Sequence, residues 1–266
     1  MSAFFNRSYL TTSTILVARI FSFYLLQVAH AKSKLDAKER SCLSVAFKNA
    51  IGSRRAAWRV LRSIQPRPEA DGEKQAAKLQ MIEDYKRRIQ SEVETICQDA
   101  VNVVRHVLSR TEDDLSAECK VFYHKMIGDY YRYMSEVEAK PSVVESASKG
   151  YQDAMACASE LDETNPVRLG LVLNYSVFRY EVLCEPKKAR DIASNAFRDA
   201  LSKLDDLGPE EYNNATAIMQ LIKDNLKLWR RDSEVVNAKT TGGEETGESE
   251  KDGAALAEED RSTSGS

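Results

Sequence analysis

Residues 165–180, NPVRLGLVLNYSVFRY, and residues 218–229, IMQLIKDNLKLW, decide how this chain folds. Apolar side chains recur in both at steps of three and four residues, which predicts two amphipathic helices. Each helix has a second, partly apolar face that carries one amide, Asn174 in the first and Asn225 in the second. Apolar grooves with a few hydrogen-bonding groups are typical of sites for extended peptides.

A second interpretation of these two faces stays open. A helix buried between two others, with its amide satisfied in the core, gives the same pattern. In either case the steps predict the core-facing positions, which are Val167, Leu171, Tyr175, Phe178 and Val182, then Ala215, Met219, Ile222 and Leu226.

The composition indicates a helical protein without a disulfide framework or a metal site. With 266 residues, 42% hydrophobic and 30% charged, the chain can bury one all-helical core or two smaller ones. The five cysteines are odd in number, scattered and without a CxxC pair, and the three histidines make no metal-ligand spacing with them. We therefore predict no metal, no cofactor and a reducing compartment.

Three segments differ in composition and are predicted to be separate parts: residues 1–31, residues 32–231 and residues 232–266. The last is rich in Glu, Gly, Thr and Ser, carries ten acids against three bases, and is predicted to be disordered. Residues 1–231 consequently carry a net charge of +4 within a total of −3. A weakly basic body suits anionic peptides. Nucleic acid binding is not supported, because the bases do not alternate with aromatic residues.

Residues 1–31 are unusual, because residues 15–29 form an apolar run that ends near a small-x-small triplet, Ala29-His30-Ala31. A secretory signal or a membrane anchor has this pattern. Arg19 inside the run argues against both, and the run is short for a membrane span. A folded helical segment or a misassigned translation start explains the segment better. We therefore predict a cytoplasmic location, with a nuclear one also open.

Seven helices are predicted, and no strand pattern, Gly-rich phosphate loop or nucleophile elbow is found. The predicted helical ranges are 36–64, 73–109, 113–139, 142–160, 166–183, 186–204 and 210–231. The chain is therefore not predicted to be an enzyme.

Charged side chains are ordered on two of these helices. One face of the first combines four cations with a glycine, namely Lys48, Gly52, Arg55, Arg59 and Arg62. Because like charges repel, this face is either solvated or binds an anion. On the third helix opposite charges alternate at helical steps, at Lys125, Asp129, Arg132 and Glu136. By itself that alternation predicts ordinary ion pairs.

Four segments in the same order resemble the 14-3-3 family of phosphopeptide-binding adaptors. They are LSVAFKNAIGSRRAAWRVLRSI at 43–64, CKVFYHKMIGDYYRYMSEVE at 119–138, and the two stretches quoted first. The resemblance covers residues 35–229 approximately. It implies an all-α, antiparallel helical bundle of the 14-3-3 type. It also implies an adaptor that binds phosphoserine or phosphothreonine segments of client proteins.

The resemblance implies two sets of binding residues. The phosphate would be held by Lys48, Arg55, Arg132 and Tyr133. The peptide backbone would bond to Asn174 and Asn225, and Glu181 and Trp229 would hydrogen-bond near the peptide. Lys125 would line the floor of the groove. The apolar wall would be formed by Leu173, Val177, Ile218, Leu221 and Leu228. Since converging cations are costly without acids nearby, Asp129 is expected to hold Arg55 or Arg132.

The resemblance also implies a homodimer or heterodimer. The corresponding partner surface is Ala57, Val60, Leu61, Tyr85, Arg88 and Glu92. Residues 1–31 do not resemble the two helices with which family members begin, so the closure of such an interface stays open.

Two other functions compete with this one. A helical-repeat scaffold would bind peptides regardless of phosphorylation, but no 34-residue repeat is visible. A secreted or membrane-tethered helical protein depends on residues 1–31 alone.

Overall fold

The computed structural model describes residues 35–64, 72–111 and 114–241, and every regular element there is helical. The α-helices of this part are α1 (Ala37–Ser63), α2 (Gly72–Thr111), α3 (Ala117–Val137), α4 (Pro141–Ala158), α5 (Pro166–Glu181), α6 (Pro186–Leu201) and α7 (Pro209–Thr241), with a 3-10 turn at Leu204–Asp206. The predicted all-α class is confirmed. Among the described helices, none has the length and apolar character needed to span a bilayer. The predictions for residues 1–31, and for the tail beyond 241, lie outside the described residues.

Polar side chains cap two helices at the positions where the sequence predicts that these helices start. Asp36 caps α1, since its carboxylate accepts from the backbone N–H of Glu39 at 2.9 Å and the Glu39 carboxylate accepts from the backbone N–H of Asp36 at 2.9 Å. This capping box satisfies two N–H groups that the helix itself cannot. Asn165 caps α5 by accepting from the N–H of Val167 at 2.8 Å, and Pro166 follows at the first helical position.

The last helix is longer than the sequence predicts. α7 continues to Thr241, so the predicted helix end at Arg231 is wrong. Just beyond Arg231, the hydroxyl of Tyr180 on α5 donates to Asp232 on α7 at 2.8 Å, which links the start of the added segment to α5. Such a long-range bond helps to offset the entropy cost of ordering a polar segment. Composition alone indicates only that the segment is polar.

The chain divides within α4 into two compact units, Met1–Ala154 and Met155–Ser266, called the first and the second unit below. In the first unit α1 packs on α2, and α2 packs on α3. Its largest fully buried side chains include Leu43, Phe47, Tyr123 and Tyr151. Large aromatic side chains contribute much of the apolar area that stabilises such a unit.

A pair of glycines brings α3 and α4 into close contact in the first unit. A Cβ atom at Gly150 would lie 2.7 Å from the backbone nitrogen of Gly128, and one at Gly128 would lie 2.8 Å from the ring of Tyr151. Only glycine permits backbones to approach this closely. The ring of Tyr151 therefore lies directly on the backbone of α3.

In the second unit α5, α6 and α7 pack on one another. Most of the core-facing positions predicted from the sequence are buried, namely Leu171, Tyr175, Phe178, Ala215, Met219 and Ile222. Val167, Val182 and Leu226, which belong to the same predicted stripes, are only half-buried. The helical steps thus identify the central turns of α5 and α7 correctly and overestimate burial toward their ends.

Candidate functional site

Two arginines from different helices lie against one tyrosine ring in the first unit. The guanidinium carbon of Arg55 on α1 is 3.9 Å from the ring centroid of Tyr133, and that of Arg132 on α3 is 4.8 Å from it. Both arginines are buried, with Arg55 5% and Arg132 2% exposed. The negative face of an aromatic ring attracts cations, which offsets part of the repulsion between the two guanidinium groups.

Glu136 holds Arg55 in place. Nε of Arg55 donates to one carboxylate oxygen at 3.0 Å and a terminal nitrogen donates to the other at 2.7 Å, which is a bidentate pair. Burial by itself would raise the pKa of Glu136, but the hydrogen bonds and charge of Arg55 hold that pKa below its ordinary value. Trp58 donates from its indole nitrogen to the backbone carbonyl of Glu136 at 2.9 Å, which fixes this end of α3 to α1.

Asp129 is the second acid beside the arginines. It accepts from Nζ of Lys125 at 2.7 Å and from the hydroxyl of Tyr151 at 2.6 Å, and a terminal nitrogen of Arg132 lies 4.0 Å away. Burial by itself would raise the pKa of Asp129. The charges of Lys125 and Arg132, together with these hydrogen bonds, hold the pKa below its ordinary value instead. Asp129 is therefore ionised, and its negative charge is balanced by Lys125 and Arg132.

The structure brings most of the predicted phosphate residues together. Lys48 lies two helical turns before Arg55 on α1, where it is half-buried and shares the same face. Asp129 lies beside Arg132, whereas Arg55 pairs with Glu136 rather than with Asp129. We call these side chains, with Lys125, the cationic cluster: Lys48, Arg55, Lys125, Asp129, Arg132, Tyr133 and Glu136.

The predicted peptide-binding residues of the second unit differ in burial. Leu173, Val177 and Trp229 belong to the buried core, and Ile218, Leu221 and Leu228 are half-buried against it. The two amides are half-buried and Glu181 is exposed. The second faces of α5 and α7 are therefore less covered than their core-facing stripes.

One amide of this set has an unsatisfied donor. Nδ2 of Asn225 is buried and has no hydrogen-bond partner among the described residues. Leaving a buried amide donor unpaired costs about 1–3 kcal/mol. A backbone carbonyl from a ligand would recover that cost.

Trp229 stacks on an aromatic ring of α5. Its ring lies 4.7 Å from the ring of Tyr180, centroid to centroid, at an interplanar angle of 13°. Burial and the hydrogen bond to Asp232 raise the pKa of Tyr180 to about 12, so its hydroxyl keeps the proton that it donates.

Comparison with known proteins identifies the family. The sequence model of the 14-3-3 proteins matches residues 22–230, which is most of the chain. The chain belongs to the 14-3-3 family. It is 44% identical over 228 residues to the checkpoint signal transducer rad24 of Schizosaccharomyces pombe, covering 84% of this chain and 82% of that protein. It is 43% identical over 211 residues to human 14-3-3 protein eta, covering 78% of this chain and 85% of that protein.

Membership confirms the predicted family, the all-α bundle and the predicted function. The protein is a 14-3-3 adaptor, not an enzyme, and binds phosphoserine or phosphothreonine segments of client proteins. Members of the family typically form dimers. The match begins at residue 22, so it includes residues 22–31 of the segment that the sequence analysis found unlike the family.

Tyr151 also contacts the cationic cluster, and this contact was not predicted from the sequence. Its hydroxyl donates to Asp129 and accepts from Nε of Arg132 at 3.1 Å. Tyr151 comes from α4, which carries none of the predicted site residues. The only signal in the sequence is a large aromatic residue beside Gly150 in a helix of mostly small side chains.

Proposed function

We propose that the cationic cluster holds the phosphate of the client, with Lys48, Arg55, Arg132 and Tyr133 in contact with it. The observation that carries this assignment is the placement of two buried guanidinium groups on one tyrosine ring. Guanidinium forks match phosphate oxygens with paired, charge-assisted hydrogen bonds, and the tyrosine hydroxyl can donate one more.

The charge of the cluster supports a phosphate rather than a carboxylate. It contains four cations and two carboxylates, which gives a formal charge of +2: Lys48, Arg55, Lys125 and Arg132, with Asp129 and Glu136. A phosphorylated side chain carries about −1.5 to −2 charges at neutral pH. An unmodified serine would leave the excess charge uncompensated in a buried place, so the cluster itself selects against it.

The second unit is proposed to hold the client backbone and its apolar side chains. Asn225 supports this role because its buried Nδ2 lacks a partner that an extended peptide could supply. Asn174 lies on the corresponding face of α5 and is proposed to act in the same way. The apolar wall, Glu181 and Trp229 complete this set, and the wall residues are Leu173, Val177, Ile218, Leu221 and Leu228.

The proposal predicts that binding requires the phosphate. In calorimetry, a phosphoserine peptide is expected to bind at least 100-fold more tightly than the same peptide with unmodified serine, a difference of about 2.7 kcal/mol or more. Raising the salt concentration should weaken phosphopeptide binding, because salt screens the attraction between charges and would have little effect on apolar contacts alone. Equal affinity for the two peptides would instead support the rival function of a phosphorylation-independent scaffold.

We also propose that two copies of the chain pair through one face of α1 and α2. Val60 and Tyr85 of the predicted partner surface are 63% and 48% exposed, and Met81, one turn before Tyr85 on α2, is 71% exposed. Exposed apolar side chains gathered in this way mark interaction surfaces. Within each chain Glu92 accepts from Arg54 and Arg88, both at 3.2 Å, which fixes the carboxylate at the edge of the face. Of the other two predicted residues of this surface, Ala57 is half-buried and Leu61 is buried within the chain.

This face gives a testable prediction about assembly. Tyr85→Asp is expected to weaken dimerisation by about 100-fold or more, because two-fold symmetry buries the new charge twice. Sedimentation velocity at micromolar concentration measures the change. Leu201→Asp is the matched control, because Leu201 is an exposed apolar residue of the second unit, at 54%. A wild-type protein that sediments as a monomer would contradict the proposal.

We propose a cytoplasmic place of action, with access to the nucleus. The five cysteines carry no disulfide among the described residues, and two of them, Cys42 and Cys184, are exposed. Exposed free thiols persist in reducing compartments. Fractionation of cells that express the full chain tests this, and recovery in the secreted fraction would favour the rival based on residues 1–31.

A further inference from the structure

Tyr151 on α4 connects the two charged groups beside the cationic cluster. Its hydroxyl donates to Asp129 at 2.6 Å and accepts from Nε of Arg132 at 3.1 Å. Burial and the Asp129 charge raise the pKa of Tyr151 well above its ordinary value, so the hydroxyl remains a donor across the physiological range. One neutral group thus satisfies a buried acid and a buried base together.

The position of this hydroxyl is fixed by packing. Tyr151 is fully buried, and its ring lies against Gly128 where no larger residue fits. The backbone of α3 reaches Gly150 just before it. A ring enclosed in this way cannot rotate its hydroxyl away from Asp129 and Arg132 without moving a helix.

We propose that Tyr151 is a positioning residue for phosphate binding, which holds the guanidinium of Arg132 in the orientation that receives the phosphate. This inference rests on the proposed role of Arg132. A guanidinium fixed through Nε loses less rotational entropy when a ligand binds, so its hydrogen bonds contribute more to affinity.

Removal of the hydroxyl tests the proposal. Tyr151→Phe is expected to lower the affinity for a phosphoserine peptide by about tenfold, because hydrogen bonds to charged groups contribute more than those between neutral groups. Tyr123→Phe is the matched control: Tyr123 is equally buried in the first unit, and its hydroxyl has no hydrogen-bond partner in the described part of the chain. This control should bind like the wild type. Calorimetry on the full chain measures both, and thermal unfolding verifies that each variant is folded.

A double-mutant cycle separates positioning from a general structural role. Arg132→Lys keeps a charge but has no Nε where Tyr151 contacts it, so Tyr151→Phe should lower affinity less than twofold in that background. The same tenfold loss in both backgrounds would overturn the proposal, as would a Tyr151→Phe variant that binds like Tyr123→Phe. If the wild type bound the phosphorylated and unphosphorylated peptides with equal affinity, the proposed function itself would be refuted.

A second measurement does not require the Tyr151→Phe variant. In nitrogen-15 spectra of the wild type, the Nε–H of Arg132, assigned through its loss in Arg132→Lys, should exchange slowly with water. Rapid exchange would show that Tyr151 does not hold this group, and would overturn the inference.

Discussion

Replacing Arg132 by alanine will weaken phosphoserine-peptide binding by roughly 30-fold to 150-fold, about 2–3 kcal/mol, and replacing Arg55 will have an effect of the same size. Each arginine is buried, and both guanidinium groups lie on the ring of Tyr133. Removal of either takes away a fork of donors and a charge at a place that water reaches poorly. Isothermal titration calorimetry with one phosphopeptide compares the variants.

Arg132→Ala gives the clearer result of the two. Without Arg132, Asp129 still accepts from Lys125 and Tyr151, so its charge remains compensated. Without Arg55, Glu136 keeps the contact of Arg59 at 3.9 Å but loses its bidentate partner, so stability will fall as well. Arg105→Ala is the control, since Arg105 is an exposed arginine of the same unit and should change affinity little. Unchanged binding in both pocket variants would refute the assignment of the phosphate site.

The helices could be predicted from the sequence because their causes are local. The capping box of Asp36 and Glu39 and the Asn165-Pro166 start of α5 use residues within one turn of each other. Apolar spacing then identifies the buried faces. The continuation of α7 past Arg231 could not be predicted in this way, because a contact there, between Asp232 and Tyr180, joins residues that are remote in the sequence.

The candidate site shows the same division. The spacing of Lys48 and Arg55 places both on one face of α1, and the family resemblance selects Arg132 and Tyr133. Neither source indicates which acid holds which base. The pairing of Arg55 with Glu136 and the contacts of Tyr151 depend on how α1, α3 and α4 pack. Geometry across helices has no periodic trace in a sequence.

The second large effect concerns stability. Glu136→Ala is expected to lower the free energy of unfolding by about 3–5 kcal/mol, because it leaves the buried guanidinium of Arg55 without its bidentate acceptor. Glu136→Gln keeps the shape and one acceptor, and is expected to cost less, about 1–3 kcal/mol. Urea unfolding at neutral pH, followed by circular dichroism, measures both variants against the wild type.

The pH dependence gives an independent test of the same carboxylate. The folded-state pKa of Glu136 lies below its ordinary value of 4.5, so its contribution to stability is present above that pH. This contribution disappears as the pH falls below 4.5 and through the folded-state pKa. The wild type should therefore lose more stability than Glu136→Gln on acidification, and the two curves should converge at low pH. Asp153→Asn is the control, because Asp153 forms an exposed pair with Lys149 that contributes little. Parallel curves for wild type and Glu136→Gln would show that Arg55 is held by something other than this acid.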